Sequence, residues 1–284
     1  MIDQASELRQ QVRRAGAPAA PTVFSPKLLV VTGAKGGVGT TSVAINLAVA
    51  MSRQSRKVVL VDADFDGADV ATLCGLDEKH SVADVLAGRL SAAKAIQDGP
   101  DGISVLPGAW AREQTLACNS SDQQRLIDSL RKLGNVADVV VVDTGSGLNS
   151  VIHRFWQAAD QVMLVTTPEP VAIMDAYAAI KVLRAGDSTI AVHCLVNHVA
   201  DFDEAAEVHE RIAHACRKFL GMELGWAGAV TEDPSVAESA REGRPLLAAS
   251  PDSQAAEDLH QVAERSIIHG RIHLQSGSDM LGRG

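Results

Sequence analysis

The stretch Gly33–Ser42, GAKGGVGTTS, follows the apolar run KLLVV and opens the segment TSVAINLAVAMS, whose apolar spacing is helical. A strand that runs through a glycine-rich turn into a helix is the arrangement of a phosphate-binding loop. Gly36, Gly37 and Gly39 around Val38 would let successive backbone N–H groups converge on phosphate oxygens, at the positive end of the helix that follows. Thr41 holds the position whose hydroxyl binds Mg²⁺ in such loops. One residue breaks the pattern: where the lysine of these loops stands, this chain has Thr40. The dinucleotide spacing G-x-G-x-x-G is absent. A glycine-rich turn is also common as plain structure, so the loop alone leaves both readings open.

Outward from the loop, short β-branched runs alternate with segments of helical period. KLLVVTG, KVVLVDAD, GISVLPG, ADVVVVDTG, QVMLVTTPE, TIAVHCLVN and LGWAGAV read as strands, with helices near residues 40–52, 81–90, 121–133, 149–158, 170–185, 203–219 and 252–268. This alternation predicts an α/β fold, a doubly wound, mostly parallel sheet of about seven strands with helices on both faces. Aromatic residues are only 3% of the chain against 46% hydrophobic residues overall, so the core must be built from Val, Ile, Leu and Ala, as buried parallel strands require.

Residues 1–26 stand apart. MIDQASELRQQVRR has helix-forming character, and AGAPAAPTVFSP is an Ala/Pro linker that cannot continue a helix, so the organisation read here is an arm (1–26), a domain (27–270) and a tail (271–284). The net charge of -9 argues against a broad nucleic-acid face, and a DNA partner is not expected. Cys74, Cys118, Cys194 and Cys216 lack metal-site or disulfide spacing, which fits a reducing cytoplasm. No run nears the ~20 apolar residues of a membrane span, and the N-terminus lacks a signal-peptide core. The expectation is a cytoplasmic chain, attached to a membrane at most peripherally.

Two strand ends strengthen the phosphate reading. VVLVDADFDG leaves Asp62 and Asp64 beyond the second strand, and DVVVVDTGSG leaves Asp143 beyond four valines. Carboxylates beside a glycine-rich loop are what a Mg²⁺–phosphate site needs, because the hard cation takes oxygen ligands and bridges phosphates. Strand-end Asp residues also serve as helix caps, and only the combination carries weight.

With AKGGVG, VDAD and VVVVDTGSG in place, the chain resembles the deviant Walker ATPases of the ParA/MinD class. The resemblance implies that Lys35 is the signature lysine, reaching across an ATP-bridged homodimer to the partner's nucleotide. It implies that Asp64 positions the attacking water, that Asp62 and Asp143 hold the Mg²⁺ shell with Thr41, and that Asn197 in CLVNHV recognises adenine. Within the class, the segments GLDEKHSVADVLAGRLSAAKAI, GISVLPG, VDTGSGLNSVIHRFWQAADQVMLVTTPEPVAIMDAYAAIKVL and VTEDPSVAESAREGRPLLAASPDS resemble FlhG, also called FleN or YlxH. These are MinD-like regulators of flagellar number and position, with basal-body components among the partners that this implies. The N-terminal DQASELR matches the D-Q-A-x-x-L-R pattern of that family, through Asp3, Gln4, Ala5, Leu8 and Arg9, which implies stimulation of the GTPase FlhF by the arm.

Thr40 qualifies the expected chemistry. An ammonium at this position stabilises charge on the transferring phosphoryl group, and loss of one preorganised donor costs ~10²–10³ in rate. Binding is expected to survive better than hydrolysis, leaving a slow ATPase, a non-hydrolysing scaffold like the pilus-localisation proteins of CpaE/TadZ type, or rescue of the charge by Lys35. A ParA-type DNA-partition ATPase is a further alternative, disfavoured by the acidic balance. His209 and His214, five apart, fall on different helix faces and do not read as a zinc pair. Leu259, Val262, Ile267, Ile268, Ile272 and Leu274 form a ragged stripe broken by Gly270, which leaves membrane attachment and packing on the core both open.

Overall fold

The computed structural model describes residues 25–77, 79–109, 120–185 and 190–266. The arm residues Asp3, Gln4, Ala5, Leu8 and Arg9, together with Cys118, the end of the expected domain and the 271–284 tail, lie outside the described residues.

Eight strands form one sheet: β1 (Lys27–Gly33), β2 (Val58–Asp62), β3 (Gln97–Asp98), β4 (Ser104–Leu106), β5 (Val139–Ser146), β6 (Gln161–Thr166), β7 (Ala191–Val199) and β8 (Gly225–Thr231). Their order is β3-β4-β2-β5-β1-β6-β7-β8, parallel throughout except for the two-residue edge strand β3. The longer helices are α1 (Thr40–Arg53), α2 (Ser120–Arg131), α3 (Ser150–Ala158), α4 (Pro170–Ala185), α5 (Phe202–Ala215), α6 (Pro234–Arg241) and α7 (Gln254–Arg265).

The parallel pattern explains the sequence of the central strands. Val139–Val142 of β5 are all fully buried, since a strand with helices on both sides has no solvent face to alternate towards. Side chains of this kind contribute roughly 1.5–3 kcal/mol each on burial. Below the sheet, α1 and α7 pack on Leu29, Val31, Leu60 and Val141; above it, α2, α3, α4 and α5 cover Leu28, Val30, Val140 and Val142. The fold expected from the alternation of runs is the one observed, with β3 added at the edge.

Several local readings change. The segment after Gly88, which has φ +71, is not part of the expected 81–90 helix; helical geometry there is confined to Val82–Leu86, behind a capping box of Ser81 and Asp84. The expected 203–219 helix is α5, ending at Ala215 and passing into a π-helical turn, Cys216–Leu220, closed by Gly221 at φ +61. Helix α6 was not expected at all. Of the C-terminal stripe, Leu259 and Val262 are buried against the sheet and its helices, so this part of it packs on the core. Ile267, Ile268, Ile272 and Leu274 lie outside the described residues. No described helix is long and apolar enough to cross a membrane.

Candidate phosphate-binding site

The loop between β1 and α1 lies at the carboxyl edge of the sheet, where ligands of doubly wound folds bind. Gly37 and Gly39 have φ of +85 and +87, conformations in which only glycine is at ease, and Gly39 is the residue from which α1 starts. A methyl group on Gly39 would overlap the Asn197 side-chain amide, so this glycine is required by space as well as by torsion. Around the loop open two clefts. One, of about 720 Å³, runs past Gly39, Asn197, Val199, Thr231, Pro234 and Leu259. The other, of about 550 Å³, lies over Lys35, Gly36, Thr167, Glu169 and Glu204. His198 lines both.

Strand register brings the carboxylates together. Asp62 and Asp143 are direct partners on the neighbouring strands β2 and β5, and each is at most 1% exposed. Asp62 accepts the backbone N–H groups of Asp64 and Val70, both at 3.1 Å. Asp143 Oδ1 accepts the Gly145 N–H at 3.0 Å, while its Oδ2 is buried with no hydrogen-bond partner among the described residues. Asp64, in the loop after β2, accepts the N–H groups of Asp66 (2.9 Å) and Gly67 (3.0 Å), and its carboxylate rests on Gly145, where a side chain would collide with it.

This crowding is legible in the proton affinities. Burial, followed by repulsion from Asp64 and Asp69, pushes Asp143 up to about 6, against the pull of the Gly145 N–H and the Thr41 hydroxyl. Burial and the neighbouring Asp143 push Asp62 well above the ordinary carboxylate range. Burial also raises Asp64. Acid groups held at a sheet edge with an unmet oxygen fit a hard cation with oxygen ligands. The donor set therefore suits Mg²⁺, with Asp143 the most available oxygen and Asp62 the more committed.

Thr40, at the position of the phosphate-loop lysine, is turned inward. It is buried, with its hydroxyl packed over the Cα of Gly33 on the floor of the loop, where a methyl on that glycine would overlap it. The ammonium of the loop is Lys35, and its Nζ is 2.7 Å from Glu169 Oε2, in a pair whose side chains are 38% and 64% exposed. Lys35 in turn holds the Glu169 carboxyl below its usual range. Asn197 is buried on β7 and its Nδ2 donates to the Val38 carbonyl at 2.9 Å.

Glu169, Gly145 and His198 were missed by sequence reasoning. The PEP that follows β6 could have marked Glu169 as a strand-end carboxylate. His198 has φ +57, unusual for a non-glycine residue, and nothing in the sequence announces it. The other reactive-looking residues are accounted for by packing. His209 lies edge-on to Trp226 at 5.1 Å and His214 is exposed, and neither belongs to a group of three or more His, Cys, Asp or Glu side chains placed to hold a metal ion among the described residues. Cys74, Cys194 and Cys216 are buried free thiols, and burial pushes the first two up to about 12.

A family model described as ParA, "NUBPL iron-transfer P-loop NTPase", matches residues 25–267. The antiactivator FleN of Pseudomonas aeruginosa is 33% identical over 239 residues, covering 84% of this chain and 85% of that protein. The flagellum site-determining protein YlxH of Helicobacter pylori is 28% identical over 239 residues, with 84% and 80% covered. Among solved structures, MinD of Pyrococcus furiosus superposes with a TM-score of 0.72 at 26% identity, over 84% of this chain and 97% of that one. MinD of Pyrococcus horikoshii, solved in complex with Mg-ADP, gives 0.70 at 26% identity, over 85% and 95%. The chain belongs to the ParA/MinD family of P-loop NTPases and resembles, within it, the FleN and YlxH proteins.

Proposed function

We propose that the protein is an ATP-dependent switch that regulates flagellar number or placement. Mg-ATP binds at the β1–α1 loop, the loaded form closes a homodimer, and the dimer presents a face to partners. The observation that carries the reading is the pair Asp62 and Asp143, in register and buried at the carboxyl ends of β2 and β5, with the Thr41 hydroxyl at the start of α1 bonded to Asp143 and one Asp143 oxygen unmet. Thr41, Asp143 and Asp62 would hold Mg²⁺, which neutralises phosphate charge when bound. Backbone N–H groups of Gly36–Thr41 would hold the phosphates, Asp64 would orient a water, and Asn197 would meet the base. Lys35 would leave Glu169 to reach the nucleotide of the partner; an exposed ion pair of this sort is weak and easily exchanged. Val171 and Met174, 56% and 71% exposed at the start of α4 beside Glu169, supply apolar surface for a partner. The arm residues Asp3–Arg9 act on an FlhF-type GTPase.

The test is light scattering with Mg-ATP, Mg-ADP and no nucleotide. A dimer with Mg-ATP alone is expected, and a monomer under all three conditions removes the switch. Deleting residues 2–14 should abolish stimulation of a cognate GTPase while leaving ATP-dependent dimerisation unchanged; stimulation that survives the deletion rejects the role of the arm. A second reading, a scaffold that binds ATP without turnover, is favoured by the inward-turned Thr40. Phosphate release at background level from a dimerising protein would select it.

A further inference from the structure

We propose that Asn197 is a positioning residue of the phosphate loop: its amide sets the orientation of the Val38–Gly39 peptide and so aims the Gly39 N–H into the phosphate cradle. The proposal rests on the nucleotide site described above and adds to it a role that does not require the base.

The bond is specific in its geometry. Asn197 Nδ2 donates to the Val38 carbonyl at 2.9 Å, in a buried position, across 159 residues of sequence. A trans peptide is planar, with its C=O and N–H on opposite sides. Fixing the Val38 carbonyl towards β7 therefore fixes the Gly39 N–H away from β7, on the side of the loop where the turn closes. Gly39, at φ +87 and without a side chain, has little of its own to resist rotation of that peptide. The missing methyl is also what lets the Asn197 amide come so close.

The strand is shaped for this contact. The β7–β8 register slips between Asn197 and Val199, and His198, inside the slip, has φ +57. A bulge of this kind re-aims a side chain from its ordinary place on the sheet. The need for such a strut is greater in this chain than in loops with a lysine. Thr40 is turned onto Gly33, so the phosphate donors within the loop are backbone N–H groups, and their directions decide binding.

Two measurements test the role. The first is calorimetric titration with Mg²⁺ and inorganic tripolyphosphate, a probe that has the phosphates and no base, beside Mg-ATP. In Asn197→Ala, and in the nearly isosteric Asn197→Asp that replaces the donor by an acceptor, tripolyphosphate should weaken by a factor of about ten and Mg-ATP by at least as much. An unchanged tripolyphosphate affinity with weakened ATP binding would overturn the proposal and leave Asn197 as a base contact alone. The second is amide hydrogen exchange at Gly39–Thr41 in nucleotide-free protein, read only from variants whose circular dichroism matches the wild type. Faster exchange in both variants supports the strut, and unchanged exchange overturns it. Because the second measurement uses no nucleotide, it decides the role of Asn197 even if wild type binds neither probe, the outcome that would remove the nucleotide site itself.

Discussion

The two edges of the sheet each carry carboxylates, and they treat them in opposite ways. At the amino edge, Asp160 receives Leu28 N–H at 2.9 Å, Lys27 Nζ at 3.0 Å and Arg131 Nη1 at 2.6 Å. Partial burial works against its charge, but these donors win and hold its carboxyl below the usual value. At the carboxyl edge, Asp143 and Asp62 are direct partners in register, neither paired with a lysine or arginine among the described residues, and both bind protons more tightly than free carboxylates. One edge is finished by the fold. The other leaves its buried carboxylates without a basic partner among the described residues, and the β1–α1 loop beside it has Thr40 at the position of the phosphate-loop lysine. A sheet edge with its electrostatics left open is a site, whereas one with them closed is a joint.

The largest change to this contrast should come from restoring the lysine. Thr40→Lys places an ammonium beside the carboxyl edge, and steady-state phosphate release with Mg-ATP should rise by ~10²–10³. Equal turnover in the two proteins would mean that Lys35 or another group already supplies the charge.

Next in size is removal of the unmet oxygen. Asp143→Asn should weaken Mg²⁺-dependent nucleotide binding by more than the roughly 10–100-fold typical of losing an outer-shell partner of a metal. The same substitution should stabilise the nucleotide-free protein, by about 3 kcal/mol at neutral pH if the rise from 3.8 to about 6 is relieved in full. Asp160→Asn should do the reverse, costing about 1–2 kcal/mol, because Arg131 and Lys27 lose their shared acceptor. Thermal melts of the two variants should move in opposite directions, and a common direction would dissolve the distinction between the edges.

How much of this was readable beforehand follows the range of the interactions. The strands announced themselves as β-branched runs, and Asp62, Asp64 and Asp143 as polar residues where such runs stop. Those signals are local. Helix α6 was also local and was passed over: Asp233 caps the Ser235 N–H and Pro234 stands in the first turn, a recognisable start that reads equally as a turn. The direct pairing of Asp62 with Asp143 follows from β2 lying next to β5, and the bond of Asn197 to Val38 joins the end of β7, at its register slip, to a loop 159 residues earlier. Neither has a local signature. The partner of Lys35 was hidden for the same reason, since Glu169 is 134 residues away.

The finest prediction compares the edges by pH. Asp143 titrates at about 6 in the folded protein and near its ordinary value of 3.8 when unfolded, so the folded state holds an extra proton between those values. Its favourable contribution is therefore complete below the unfolded value and disappears as pH rises through about 6. Asp160 is shifted down, so its contribution is present above the unfolded value and is lost as pH falls through the lower, folded one. Denaturant titrations of nucleotide-free Asp143→Asn and Asp160→Asn against wild type separate the two terms. The advantage of Asp143→Asn should be small at pH 4 and reach its full size above pH ~6, while the deficit of Asp160→Asn should persist at pH 7 and shrink only in acid. An Asp143→Asn advantage that does not change between those pH values would show that Asp143 carries no excess proton, and with it the carboxyl edge would lose the electrostatic opening on which its assignment as a site depends.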